Sequence, residues 1–219
     1  MKWNSAHIIK RTHYVEFDSL YVSRILIGIL QTFVSRILGK LTLIIHFLSI
    51  IGSLAQVHAE SPECVKRNER NLLKQGIVGP EGYIMSHTEE AEEEATLRAC
   101  TLANQMNCPL YLSHISSTST VEIVSAKKKK GHVVYAEVSP AALAGDGEAY
   151  WDKDWKKAAA SVTSPPIRKE QNQGLIEKLV EEDTGVDLVG SNHAAFNANQ
   201  KALGQTDFTK IPGLCNINH

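Results

Sequence analysis

Three residues that could do chemistry each close a short apolar run. His58 follows residues 54–57, His114 follows residues 109–113, and Asn192 follows residues 186–190 and Ser191. Runs of this length, bounded by polar residues, read as strands. Where parallel strands alternate with helices, the residues at their carboxyl ends line one common face. Two imidazoles placed there can turn ring nitrogens into a shared mouth, and imidazole suits a borderline metal such as Zn²⁺. The same position also suits a histidine held only by hydrogen bonds, and spacing does not separate the two readings. His193, beside Asn192, faces either into the mouth or away from it. His7, His13, His46, His87, His132 and His219 have no comparable setting.

The elements that must position these residues form a regular alternation. Ser61 followed by Pro62 reads as an N-cap with proline at the first helical position, opening a polar helix that runs to about Lys74 and stops at Gly76. Ser86-His-Thr-Glu89 reads as a capping box. The helix behind it carries Ala91, Ala95, Ala99, Leu102, Ala103 and Met106 on one face, with an acidic first turn that suits the dipole. A helix over residues 119–130 ends in the basic run Lys127 to Lys130 before Gly131; cations at that end also complement the dipole. Residues 132–138 read as a strand, 175–182 as a helix and 186–190 as a strand. Strands alternating with helices in this way predict an α/β fold with parallel strands and crossover helices.

Composition narrows the function. Lys plus Arg number 23 against 24 Asp plus Glu, a formal net charge of -1. That balance offers nucleic acid no clustered basic face. Cys64, Cys100, Cys108 and Cys215 show neither CxxC pairing nor disulfide spacing, and read as reduced thiols of an intracellular protein. Residues 1–53 differ in texture from residues 54–219. From Leu20 to Leu54 the chain is dense in Ile, Leu, Val and Phe, yet Arg24, Arg36 and Lys40 divide it. It lies too far from Met1 for an ordinary signal peptide. A membrane anchor, a pair of buried helices and sequence foreign to the fold all remain open, with the anchor the lesser reading and the cytoplasm the default location.

Several stretches then combine: Val57-His-Ala-Glu-Ser61, Gly79-Pro-Glu-Gly82, Ala103-Asn-Gln-Met-Asn-Cys-Pro-Leu110, Tyr150-Trp-Asp-Lys-Asp-Trp155, Val162-Thr-Ser-Pro-Pro-Ile-Arg168, Lys201-Ala-Leu-Gly and Asp207-Phe-Thr-Lys-Ile-Pro212. Together, over residues 54–212, they resemble the dihydropyrimidinase family and its relatives, the collapsin response mediator proteins. Residues 1–50 show nothing of it. The resemblance implies an incomplete TIM-like (β/α) barrel of the metal-dependent amidohydrolase type. It implies hydrolysis of cyclic amides, the dihydropyrimidines and hydantoins of pyrimidine catabolism. It also implies two metal ions, usually zinc, bridged by a carboxylated lysine and a hydroxide, and assembly as a homotetramer.

Carried over by position, His58 and His114 match the histidines after the fifth and sixth strands, which bind the same metal. Ser164 and Asn197 match residues whose backbone holds the substrate ring. Asn192 stands where the family has its catalytic aspartate, and an amide cannot accept the proton of a metal-bound water. No His-x-His pair occurs in the chain. The bridging lysine and the oxyanion tyrosine belong upstream of His58, where the apolar segment stands. The resemblance therefore implies a family member impaired in catalysis. Two other readings stay open: a non-catalytic scaffold of the mediator type in cytoskeletal signalling, and a truncated or mis-joined gene product, which the change of texture near Gly52 favours.

Overall fold

Four parallel strands lie side by side in chain order: β1 (Ala55–His58), β2 (Leu110–Ile115), β3 (Val134–Val138) and β4 (Leu188–Val189). The computed structural model describes residues 38–145, 147–169, 171–180, 185–191, 193 and 196–213. Alternation along the strands splits the sheet into two faces. Ala55, Leu110, Leu112, Val134, Ala136 and Val138 point into the core and are buried. On the other face Gln56, Tyr111 and Tyr135 fall in one register row, with His58 opposite Ser113 in a second. The face turned away from the helices therefore carries polar and tyrosine side chains.

The helices α1 (Leu38–Ile50), α4 (Glu89–Gln105), α5 (Thr118–Lys129) and α8 (Asn172–Val180) cover the apolar face in that order. Between them lie α2 (Pro62–Lys74), α3 (Glu81–Ser86), α6 (Pro140–Ala144) and α7 (Trp155–Ala160), with a short α9 (Ala198–Lys201) near the end. Helix α4 presents Ala91, Ala95, Ala99 and Ala103 to the core, small residues that let it lie close on the sheet. Lys128 Nζ sits 2.6 Å from Asp187 Oδ2, so the basic run ties the end of α5 to the approach to β4. Left-handed glycines, Gly76 and Gly131, follow α2 and α5.

Two expectations about helix starts are corrected. Ser86 does not open a capping box: it is the last residue of α3, and its Oγ donates to the Tyr83 carbonyl. The short helix α3 claims Ser86, so Thr88 becomes the cap of α4 and accepts from Ala91 N. Ser61 has the extended backbone of a cap, but its side chain makes no capping bond.

The apolar segment before β1 is described only from Leu38. There it forms α1, whose Leu41, Ile45 and Leu48 join the core and whose partner is α4; Ser49 Oγ also donates to the Asn107 carbonyl. Among the described residues no helix is long and apolar enough to cross a membrane. Each of the four strands thus has a helix before it, and the described chain reads as four αβ units.

A second apolar cluster forms around Tyr83, Tyr150, Val162, Phe208 and Ile211. It fixes the 162–168 loop: the Tyr150 hydroxyl accepts from Thr163 N at 3.4 Å and Ile167 N at 3.2 Å. Glycine is required at position 82, since a Cβ there would meet the Phe208 ring at 2.4 Å.

Candidate functional site

His58 closes β1 and is held at once. Its Nε2 lies 2.9 Å from Glu60 Oε2, while Glu60 Oε1 lies 2.9 Å from His87 Nδ1. Glu60 thus bridges two imidazoles in a largely buried setting. Burial alone would raise its pKa, but the hydrogen bonds and charge of His58 and His87 outweigh it and hold the carboxyl far below the usual range. For His58 burial works towards the neutral ring, and the bond and charge of Glu60 overcome it, so its pKa is raised. His87 stacks on Tyr83, with ring centres 4.2 Å apart. The Tyr83 hydroxyl in turn bonds to Ser164, and burial pushes that phenol upward.

His114 is positioned by an irregularity. The β2–β3 register shifts between Leu112 and Ile115, and His114 sits inside the shift with φ +60°. A left-handed non-glycine residue of this kind is costly and re-aims its side chain. The imidazole points at β3, where its Nδ1 lies 2.7 Å from Glu137 Oε1, a close approach not aligned as a hydrogen bond. Tyr111 donates its hydroxyl to the other oxygen of Glu137. Burial favours a raised Glu137 pKa, but His114 and Tyr111 prevail and lower it. Gly190 makes room: a Cβ there would lie 2.1 Å from the Glu137 carboxyl carbon.

Between these groups runs a buried ionic cluster. Arg168 Nη2 lies 2.8 Å from Glu92 Oε2, its Nη1 donates to the His87 carbonyl at 2.9 Å, and its Nε donates to Ser116 Oγ at 3.0 Å. Ser116 completes the cluster by donating N–H and hydroxyl to Glu92. The cluster ties the loop carrying Ser164 to the end of β2 and to the start of α4. Asn197 stands apart, exposed as the cap of α9. Its side chain accepts from Gln200 N, its N–H donates to Gln200 Oε1, and its carbonyl accepts from Lys201 N. Asn192 lies outside the described residues, as does Cys215.

The structure therefore brings His58, His114 and Ser164 to one end of the sheet and leaves Asn197 on an exposed turn. Glu60, His87, Tyr111 and Glu137 were not singled out by sequence. The signal for Glu60 was its place two residues after a strand-end histidine, and for Glu137 its unexplained charge inside an apolar strand.

As a metal site, His58 and His114 stand too far apart. Their ring centres are separated by 6.5 Å. Two imidazoles sharing one tetrahedral zinc, with nitrogens about 2.0–2.1 Å from it, hold their ring centres roughly 5 Å apart. Each ring is also engaged by a carboxylate, and among the described residues no group of three His, Cys, Asp or Glu could hold a metal ion. The residues described do not fit a closed zinc site. A cavity of about 340 Å³ lies at the opposite, amino-terminal end of the strands, lined in part by Cys100, Cys108, Pro109 and His132, away from these histidines.

No family model matches the chain. Individual relatives do. Dihydropyrimidinase of Rattus norvegicus is 42% identical over 167 residues, covering 76% of this chain and 32% of the rat protein. The chain is a homologue of the dihydropyrimidinase family. Dihydropyrimidinase-related protein 5 of Homo sapiens is also 42% identical, over 80% of this chain and 31% of its own. The chain thus spans about a third of the length of these curated relatives. Among solved structures, D-hydantoinase from a Bacillus sp. AR9 superposes with a TM-score of 0.77 at 34% identity, over 81% of this chain and 39% of that one. Dihydropyrimidinase from Brevibacillus agri NCHU1002 gives the same TM-score and identity over 38% of its length. The four αβ units are therefore part of a hydantoinase-type barrel, and His58 and His114 lie at its carboxyl-end face.

Proposed function

We propose that this chain carries one part of the active-site face of a dihydropyrimidinase-type cyclic-amide hydrolase and does not hydrolyse such substrates unaided. One observation carries the reading: the rings of His58 and His114 have centres 6.5 Å apart, each ring lies against its own carboxylate, and among the described residues no three His, Cys, Asp or Glu side chains are grouped so as to hold a metal ion. His58 and His114 are the residues that the family resemblance assigns to zinc. Ser164, fixed through Tyr83 and the Arg168 cluster, is the stronger of the two ring contacts. Asn197 has both backbone groups engaged within α9, which leaves a ring only its carbonyl's second lone pair. With Asn192 in place of the aspartate, the position that would accept the proton holds an amide, which is no base. We place the protein in the cytoplasm, with a small cyclic amide as ligand and neither nucleic acid nor membrane as partner.

The test is metal analysis of the purified chain together with dihydrouracil and hydantoin turnover in added zinc. The expected result is no turnover and less than one tightly held zinc per chain. Asn192→Asp is expected to leave this unchanged, because one carboxylate does not supply the other ligands. Full zinc occupancy with turnover overturns the proposal. A non-catalytic scaffold role is the second reading; the chain is 42% identical both to rat dihydropyrimidinase and to the human dihydropyrimidinase-related protein, so the zinc and turnover measurements decide between the two.

A further inference from the structure

The cavity at the amino-terminal end of the strands takes no part in the reading above. Its volume of about 340 Å³ is that of a small-molecule site. Every residue lining it falls between positions 100 and 134, where α4 ends and where β2 and β3 begin. Ala103, Pro109 and Val134 give it a buried apolar wall, and the exposed Asn104 and Asn107 add carboxamides. His132 brings a group that the fold leaves over. Its Nδ1 is buried and has no hydrogen-bond partner among the described residues. A buried polar atom without a partner costs stability, so it calls for one that the fold does not provide.

The lining itself is uncharged. Burial pushes the thiols of Cys100 and Cys108 up to about 11, so both stay protonated near neutral pH. Burial, aided by the charges of Lys127 and Lys130, lowers the pKa of His132 and keeps its ring neutral. Beyond the lining the signs oppose each other. The carboxyl ends of α4 and α5 lie at the cavity and favour cations, while Lys127 and Lys130 favour anions. An ion of either sign gains little there and loses its hydration.

We propose that this cavity binds a small uncharged amide with an apolar body, its amide edge on His132 Nδ1 and its body against Ala103, Pro109 and Val134. An amide offers both a donor and an acceptor, so it satisfies Nδ1 in either tautomer of the ring. The site lies at the other end of the strands from His58, His114 and Ser164, and it stands whether or not that end takes a cyclic amide.

The test is titration of benzamide into the isotope-labelled full chain, followed by amide-resolved NMR, with benzoate and benzylamine as charged counterparts. The expected result is saturable shifts at Ala103, Gly131, His132 and Val133, and binding of either counterpart weaker by about tenfold or more. His132→Leu removes both ring nitrogens and is expected to weaken benzamide about tenfold, the worth of one hydrogen bond. Asn104→Phe puts a ring over the cavity from an exposed helix position and is expected to abolish binding with the spectrum elsewhere unchanged. The proposal is overturned by the absence of saturable shifts, by shifts confined to the Ser164 end, or by equal binding of benzoate or benzylamine. Binding indifferent to His132→Leu also overturns it. Should His132→Leu misfold, Asn104→Phe and the charged counterparts decide.

Discussion

His114 on β2 and Glu137 on β3 face each other at 2.7 Å, Nδ1 to Oε1, beneath the carboxyl-end face of the sheet. Neither is placed there by regular strand geometry. His114 reaches Glu137 because the backbone at position 114 is left-handed, and Glu137 fits because position 190 has no side chain. A carboxylate behind an imidazole fixes its orientation and tautomer, the arrangement that supports a ligating or proton-moving histidine.

Glu137→Gln is expected to remove the charge that holds His114 while keeping the shape. The Tyr111 hydroxyl retains an acceptor, so the loss falls on the His114 side. Stability is expected to drop by about 1–3 kcal/mol, the scale for taking a charged partner away from a polar group in a mostly buried place. Urea unfolding measures it, and an unchanged midpoint would show that the approach contributes nothing.

Glu60 is expected to give stability a maximum on the acid side of neutral. Its folded pKa is depressed, so its contribution is present above the ordinary carboxylate value and is lost as pH falls through the folded one. His58 has a raised folded pKa, so its contribution is complete below about pH 6.5 and is lost as pH rises through the folded value. The pair is strongest between about pH 4.5 and 6.5. Thermal melts from pH 4 to 9 check this, and Glu60→Gln is expected to flatten the decline above neutral.

Much of the fold was legible because its signals are local. Alternating apolar runs and glycine stops marked the strands and the ends of α2 and α5, and His58 and His114 stood out as strand ends. What was not legible depended on pairings distant in sequence. Ser86 and Thr88 both look like caps, and only the presence of α3 decides between them. Glu60 with His87, and Glu92 with Arg168, are joined across 27 and 76 positions. The role of α1 was hidden because its apolar face carries no family motif, although Leu41, Ile45 and Leu48 have helical spacing.

Arg168 and Glu92 form a buried pair whose hydrogen bonds are shared with Ser116, and breaking one side leaves a charge without its partner. Arg168→Met is expected to cost about 3–5 kcal/mol. Adding Glu92→Leu is expected to recover part of that loss, since the stranded carboxylate goes too. The double-mutant cycle in urea separates the two effects, and additive losses would mean that the pair is not coupled.

The left-handed backbone at His114 makes the final prediction. An L-residue with a Cβ costs about 1–2 kcal/mol in that region, whereas glycine costs almost nothing. His114→Gly and His114→Ala both remove the imidazole and its approach to Glu137, so their difference reports the backbone alone. Glycine is expected to be the more stable of the two by about 1 kcal/mol, the reverse of the order in a regular strand, where glycine weakens the structure. His114→Val is expected to be the worst of the three, because a β-branched side chain tolerates φ +60° least. Urea midpoints of the three variants provide the measurement. An order of valine, alanine, glycine from most to least stable would mean that β2 runs through position 114 as a regular strand. The imidazole would then lose the aim that brings it to Glu137.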